Sequence, residues 1–92
     1  MEKQDLLTGK RILIVDDEPD VLETLADLLV ECKVTKAANF EQARNLLLNQ
    51  YFDMAILDIM GVDGYGLLKI CTEKRVVGEI LPDFVQHLGR AL

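Results

Sequence analysis

Histidine and cysteine are nearly absent from this 92-residue sequence, which has one His and two Cys. A disulfide framework or a Cys/His metal site needs several such residues at close spacing, so both are disfavoured. Cys32 and Cys71 stand alone in apolar-rich, helix-like segments and read as reduced core thiols. His87 reads as an exposed helix residue. Long hydrophobic runs are missing as well. None approaches the ~20 residues that a membrane-crossing helix requires. The polar start Met1-Glu2-Lys3-Gln4-Asp5 lacks the apolar stretch of a secretory signal. A soluble, cytoplasmic protein with no membrane partner is expected. Positive charge is also scarce: 10 Lys and Arg face 16 acids, a formal net charge of -6. Direct binding to nucleic acid needs a basic surface and is therefore disfavoured.

Half of the residues are hydrophobic, enough for the core of one small domain. No repeat, low-complexity tract or linker divides the chain. After a tail over residues 1–9, Arg11-Ile12-Leu13-Ile14-Val15 is the continuous β-branched run of a central parallel strand. It stops at Asp16-Asp17. Pro19 suits the first turn of a helix, and Val21, Leu22, Leu25, Leu28 and Leu29 fall on one helical face. Val34-Thr35-Lys36-Ala37 is half-polar and suits a sheet edge. Asn39 is a helix cap with Gln42 as its partner, and Phe40, Ala43 and Leu47 line the buried side of that helix. Met54-Ala55-Ile56-Leu57 is a second buried-type strand, again ended by an acid, Asp58.

Asp63-Gly64 is a turn signal. It precedes a third helix to about Arg75, with Leu67, Leu68 and Cys71 inward. Val77, Ile80, Leu81, Phe84, Val85, Leu88 and Leu92 then predict a last helix over 77–92, in which Pro82 fits only the first turn or a kink. Residues 10–76 thus read β-α-β-α-β-α. Such alternation requires parallel pairing through right-handed crossovers, an α/β sheet with helices on both faces.

Ligands of open α/β sheets bind at the carboxyl ends of the strands. Here two apolar strands end in carboxylates, Asp16 and Asp17 on one and Asp58 on the other. If these strands are neighbours, three carboxylates converge. Two charges about 4 Å apart repel by roughly 4 kcal/mol at an effective dielectric of ~20. A hard divalent cation with oxygen ligands relieves that repulsion, and Mg²⁺ fits best. With it the site suits phosphoryl transfer, with Asp58 as nucleophile and Asp16 and Asp17 serving the metal. The plainer alternative is that each Asp caps a helix.

The stretches Ile12-Leu13-Ile14-Val15-Asp16-Asp17-Glu18-Pro19 and Tyr51-Phe52-Asp53-Met54-Ala55-Ile56-Leu57-Asp58-Ile59-Met60, with Asp63-Gly64, resemble the receiver domain of two-component response regulators. The likeness runs from Lys10 to about Arg75. It implies a flavodoxin-like fold, phosphorylation of Asp58 by a histidine kinase or phosphotransfer protein, and Mg²⁺ held by Asp16, Asp17, Asp58 and the Met60 main-chain carbonyl. It implies a signalling domain that at most promotes its own phosphorylation and dephosphorylation, not an enzyme. Gly61 stands where the family usually has Pro.

A receiver has five strands in the order 2-1-3-4-5. Here the third helix runs almost directly, at Val76-Val77, into a segment that resembles the family's final helix. The expected sheet is therefore shortened to three strands, order 2-1-3, without the fourth strand, fourth helix and fifth strand. The family's switch Ser or Thr and its Lys would be lost with them. Thr72, Lys69 and Lys74 lie on the third helix and are not given those roles. A shortened chain, a stretch missing from the sequence and a fold that closes otherwise would each account for this. A three-stranded sheet would leave Met54–Leu57 as an apolar edge, which predicts a homodimer or larger assembly. Three functions remain open at this point: a phosphate-accepting signalling module, a non-switching structural or interaction module, and, less supported, a hydrolase.

Overall fold

The computed structural model describes residues 8–58 and 63–81. In chain order the elements are β1 (Arg11–Val15), α1 (Pro19–Leu28), β2 (Lys33–Ala37), α2 (Phe40–Asn49), β3 (Met54–Asp58), α3 (Gly64–Lys74) and β4 (Val77–Leu81). The sheet is wholly parallel, in the order β2-β1-β3-β4. Its inner strands are the apolar ones. Ile12 to Val15 are all buried, as continuous hydrophobic runs require when both faces are covered. Lys33–Ala37, with alternating polar residues, takes the outer edge.

The two faces carry separate cores. Leu13, Val15, Ala55 and Leu57 point towards α2 and α3, where Ala43, Leu47, Leu67 and Cys71 close over them. Ile12 and Ile14 point the other way and pack on Leu22, with Leu25, Ala26 and Leu29 alongside. Leu28 does not join them and is 70 % exposed. The inward stripe is therefore Val21, Leu22, Leu25 and Leu29, one residue narrower than expected. The thiols separate too. Cys71 is buried inside α3, whereas Cys32 is half-buried in the turn before β2 rather than in a helix.

Local chemistry explains the helix ends. The Asn39 side chain accepts from the Gln42 N–H at 2.9 Å. The Gln42 side chain in return accepts from the Ala38 N–H at 2.8 Å, a capping box displaced by one residue. Asp63 caps α3 by accepting from the Gly66 N–H at 3.1 Å. At the other end Arg75 adopts a left-handed conformation (φ 60°). The Val76 N–H then reaches back to the Cys71 carbonyl at 2.8 Å, which ends the helix and turns the chain onto the sheet.

That turn corrects the expected 77–92 helix. Residues Val77–Leu81 form β4, paired parallel with β3 from Met54↔Val77 to Asp58↔Leu81. The sheet therefore has four strands, not three. Met54–Leu57 is paired on both sides, so the ground for expecting self-association along that edge is removed. The rest of the expected helix, with His87, lies outside the described residues. Gly78 is what lets α3 lie close to β4. A Cβ there would meet Leu68 Cδ1 at 2.6 Å and Cys71 Cβ at 3.4 Å.

Asp53 ties the strand starts together. Its carboxylate accepts from the Arg11 N–H at 2.8 Å and from the Tyr51 hydroxyl at 2.9 Å. Its own N–H donates to the Arg11 carbonyl, and its carbonyl accepts from Val77. Among the described residues, no helix is long and apolar enough to cross a membrane.

Two predictions follow from this packing. Gly78→Val should destabilise the fold by about 1–3 kcal/mol through overpacking against α3, read from urea midpoints; an unchanged midpoint would contradict the close approach. Asp53 is held below the usual carboxylate range, first by the Arg11 N–H and then by the Tyr51 hydroxyl. A depressed carboxyl contributes stability that is present above its unfolded value, about pH 4, and is lost as pH falls through its folded value. The deficit of Asp53→Ala at pH 7 should therefore shrink below about pH 4. A deficit constant down to pH 2 would show that the ionised carboxylate contributes nothing.

Candidate functional site

Parallel pairing with matched register decides where the acids go. Ile12↔Met54 through Val15↔Leu57 brings the next residues, Asp16 and Asp58, to the same end of adjacent strands. Asp17 follows on the loop into α1. One oxygen from each of Asp16, Asp17 and Asp58 lies within 4.8 Å of the others. Asp16 and Asp58 are buried, while Asp17 is exposed. The three residues singled out from sequence thus form one cluster at the carboxyl edge of the sheet. Met60, the fourth expected ligand, lies outside the described residues. Thr72, Lys69 and Lys74 are on the exposed side of α3, and the Thr72 hydroxyl donates to the Leu68 carbonyl of its own helix.

Asp16 is held from two sides. Its N–H donates to the Ala37 carbonyl at the end of β2 at 3.1 Å, and its Oδ1 accepts from the Glu18 N–H at 2.8 Å. Its Oδ2 is buried with no hydrogen-bond partner. A buried carboxylate oxygen without a donor is costly, and two further carboxylates lie close to this side chain. Burial first, and then the charges of Asp58, Asp17 and Glu18, push the Asp16 carboxyl up to about 6, against the opposing pull of the Glu18 N–H. The three carboxylates approach within 4.8 Å of one another, close enough for like charges to repel. A cluster of three carboxylates with one unsatisfied acceptor suits a hard divalent cation.

The end of β4 completes this edge, and the sequence reading missed it. Asp58 sits in register with Leu81, and Val77–Leu81 contains neither Ser nor Thr. The one local signal was the β-branched pair Val76-Val77, too short to decide against the helical period.

Residues 12–81 match the pattern described as the response regulator receiver domain. The chain belongs to the response regulator receiver family. This receiver is 40 % identical over 63 residues to the response regulator protein PilR of Pseudomonas aeruginosa, a match covering 66 % of this chain and 14 % of PilR. It therefore spans a small part of that relative's length. Among solved structures it is similar to the non-phosphorylated HemR receiver domain from Leptospira biflexa, with a TM-score of 0.64 and 31 % identity over 72 % of this chain and 56 % of that one. It is also similar to a chain of the complex between the P1 domain of CheA3 and CheY6 from R. sphaeroides. That TM-score is 0.59, with 26 % identity over 79 % of this chain and 61 % of the other.

The electrostatics predict a gain on neutralisation. A carboxyl raised on folding destabilises the native state above its unfolded value, and fully so above its folded one. Asp16→Asn should leave the metal-free receiver equally or more stable above about pH 6, and any gain should disappear below about pH 4. A metal-free loss of stability at pH 7 would count against the crowded-carboxylate account.

Proposed function

We propose that this receiver accepts a phosphoryl group on Asp58, with Mg²⁺ held by Asp16, Asp17, Asp58 and the Met60 carbonyl, in a two-component phosphorelay of the cytoplasm. One observation carries the reading. Three carboxylates gather at the strand ends where α/β sheets bind ligands, and one buried Asp16 oxygen has no donor. Family membership adds the signalling context. The solved complex of CheY6 with the P1 domain of CheA3 supports a phosphotransfer protein or histidine kinase as partner.

The chain's own groups have distinct tasks. Asp58 ends β3 in a rigid, doubly paired strand, so its carboxylate is held rather than swinging. An Asp58 oxygen forms the new O–P bond while the bond from phosphorus to the donor's imidazole nitrogen breaks. The nitrogen leaves with that electron pair, and because the other ring nitrogen of the phosphorylated donor carries a proton, the donor departs as neutral imidazole. Asp16, fixed by the Ala37 carbonyl and the Glu18 N–H, keeps its second oxygen buried and free to accept from a ligand. Asp17, exposed, lies on the solvent side where a donor would enter. Bound Mg²⁺ supplies positive charge to the phosphoryl oxygens and to the acids around them.

A second reading, a receiver-like interaction module that does not switch, draws on β4. That strand offers no hydroxyl beside Asp58, and no Lys occurs between Arg75 and Leu92. The two readings part at the covalent step.

Incubation with Mg²⁺ and acetyl phosphate should add the mass of one phosphoryl group, and Asp58→Asn should abolish the addition. Metal binding with no adduct, and no spectral response to beryllofluoride, would sustain the second reading and overturn the first. Independently, Mg²⁺ at 100 times its Kd should stabilise the fold by about 2.7 kcal/mol. Asp16→Asn and Asp58→Asn should each blunt that response. Equal Mg²⁺ stabilisation in both variants would contradict the ligand assignment.

A further inference from the structure

The acidic cluster has a support that reaches it through a single peptide group. Asp16 stands one residue beyond β1, and its N–H donates to the Ala37 carbonyl at 3.1 Å. That carbonyl and the Ala38 N–H belong to the same peptide group. Such a group is planar and trans, so the two point to opposite sides and turn together. The Ala38 N–H donates to Gln42 Oε1 at 2.8 Å. A bond on one side of the plane therefore sets the direction of the acceptor on the other.

We propose that Gln42 is a positioning residue for the acidic site, holding the Asp16 backbone through the Ala37–Ala38 peptide; this rests on the reading of Asp16 as a Mg²⁺ ligand. The usual capping box directs the Gln side chain to the N–H of the capping residue itself, which here is Asn39. In this receiver it reaches one residue further back, to the peptide that Asp16 uses. The Asn39 side chain accepts from the Gln42 N–H at 2.9 Å and fixes the start of α2. Ala43, next to Gln42, and Leu47 seat the same helix in the core. The line of support thus runs from the core through α2 to Asp16.

Two physical effects give this line its weight. A peptide whose N–H is engaged is polarised, so its carbonyl accepts more strongly. Asp16 is also buried, with Oδ1 held by the Glu18 N–H and Oδ2 unpartnered, so a tilt of its backbone redirects that unpartnered oxygen. Ala38 and Gln42 are exposed. Water can therefore take the Ala38 N–H when the Gln42 amide is removed, but water does not fix the peptide plane. What is lost is orientation rather than fold.

The test uses the whole chain, first without metal. Gln42→Ala should weaken the ¹⁵N–¹³C coupling across the hydrogen bond from Asp16 to Ala37 and speed exchange of the Asp16 amide. In the same variant the Mg²⁺ Kd should rise about tenfold, the low end for groups that orient a metal ligand. Gln42→Glu keeps an acceptor oxygen and should restore the amide signals. Asn45→Gly weakens α2 at an exposed interior position; it should lower the urea midpoint while sparing the Asp16 amide and the Kd. An unchanged Asp16 amide in Gln42→Ala would overturn the proposal. So would an equal effect of Asn45→Gly, or an unchanged Kd beside a changed amide, each of which would leave Gln42 a helix cap only. A wild-type chain that binds no Mg²⁺ would instead contradict the function proposed above, and the metal-free amide signals would still decide whether Gln42 holds Asp16.

Discussion

The in-register parallel pairing of β1 with β3 is the constraint on which the rest of this receiver depends. Side chains alternate along a strand, so a slip of one residue would exchange the sets that fit the two cores. The same slip would move Asp58 away from Asp16. Core packing and site geometry are therefore specified by one alignment. Leu13, Val15, Ala55 and Leu57 fill one core while Ile12, Ile14 and Ile56 serve the other. At the strand starts, Asp53 bonds to both backbone groups of Arg11, which locks the pairing at the end opposite the acids.

This arrangement uses fold stability to hold a site that opposes it. Asp16 is buried, short of a donor for Oδ2, and surrounded by like charge. A protein optimised for stability alone would place an apolar or neutral residue there. The stored repulsion makes sense if a cation restores balance, since binding then draws on electrostatic energy already present in the free protein. The receiver keeps the cluster in place by anchoring the backbone of Asp16 to β2 and its carboxylate to the Glu18 N–H.

Much of this was legible in the residues, and the reasons differ by element. The two apolar runs that stop at Asp16-Asp17 and Asp58 identified central strands and their ligand-facing ends, because burial on both faces leaves a composition that other elements do not share. The Asn39 cap was visible for a local reason: its partner Gln42 lies three residues away. β4 was not legible. Val77, Ile80, Leu81 and Phe84 fit a helical period as well as a strand, and short apolar runs cannot be divided by periodicity. What decides the matter is the left-handed Arg75 and the space left by Gly78, both of which depend on α3 already being in place. Leu28 shows the same limit, since its exposure follows from how α1 sits on the sheet rather than from its apolar character.

If β1 and β3 bring their terminal acids around one ion, paramagnetic Mn²⁺ should report it directly. Substoichiometric Mn²⁺ in a ¹⁵N-labelled sample should broaden the amide signals of Asp16, Asp17 and Asp58 together, at the same concentrations, before those of other acidic residues. Broadening confined to one strand end, or spread evenly over the acidic surface, would contradict a shared site.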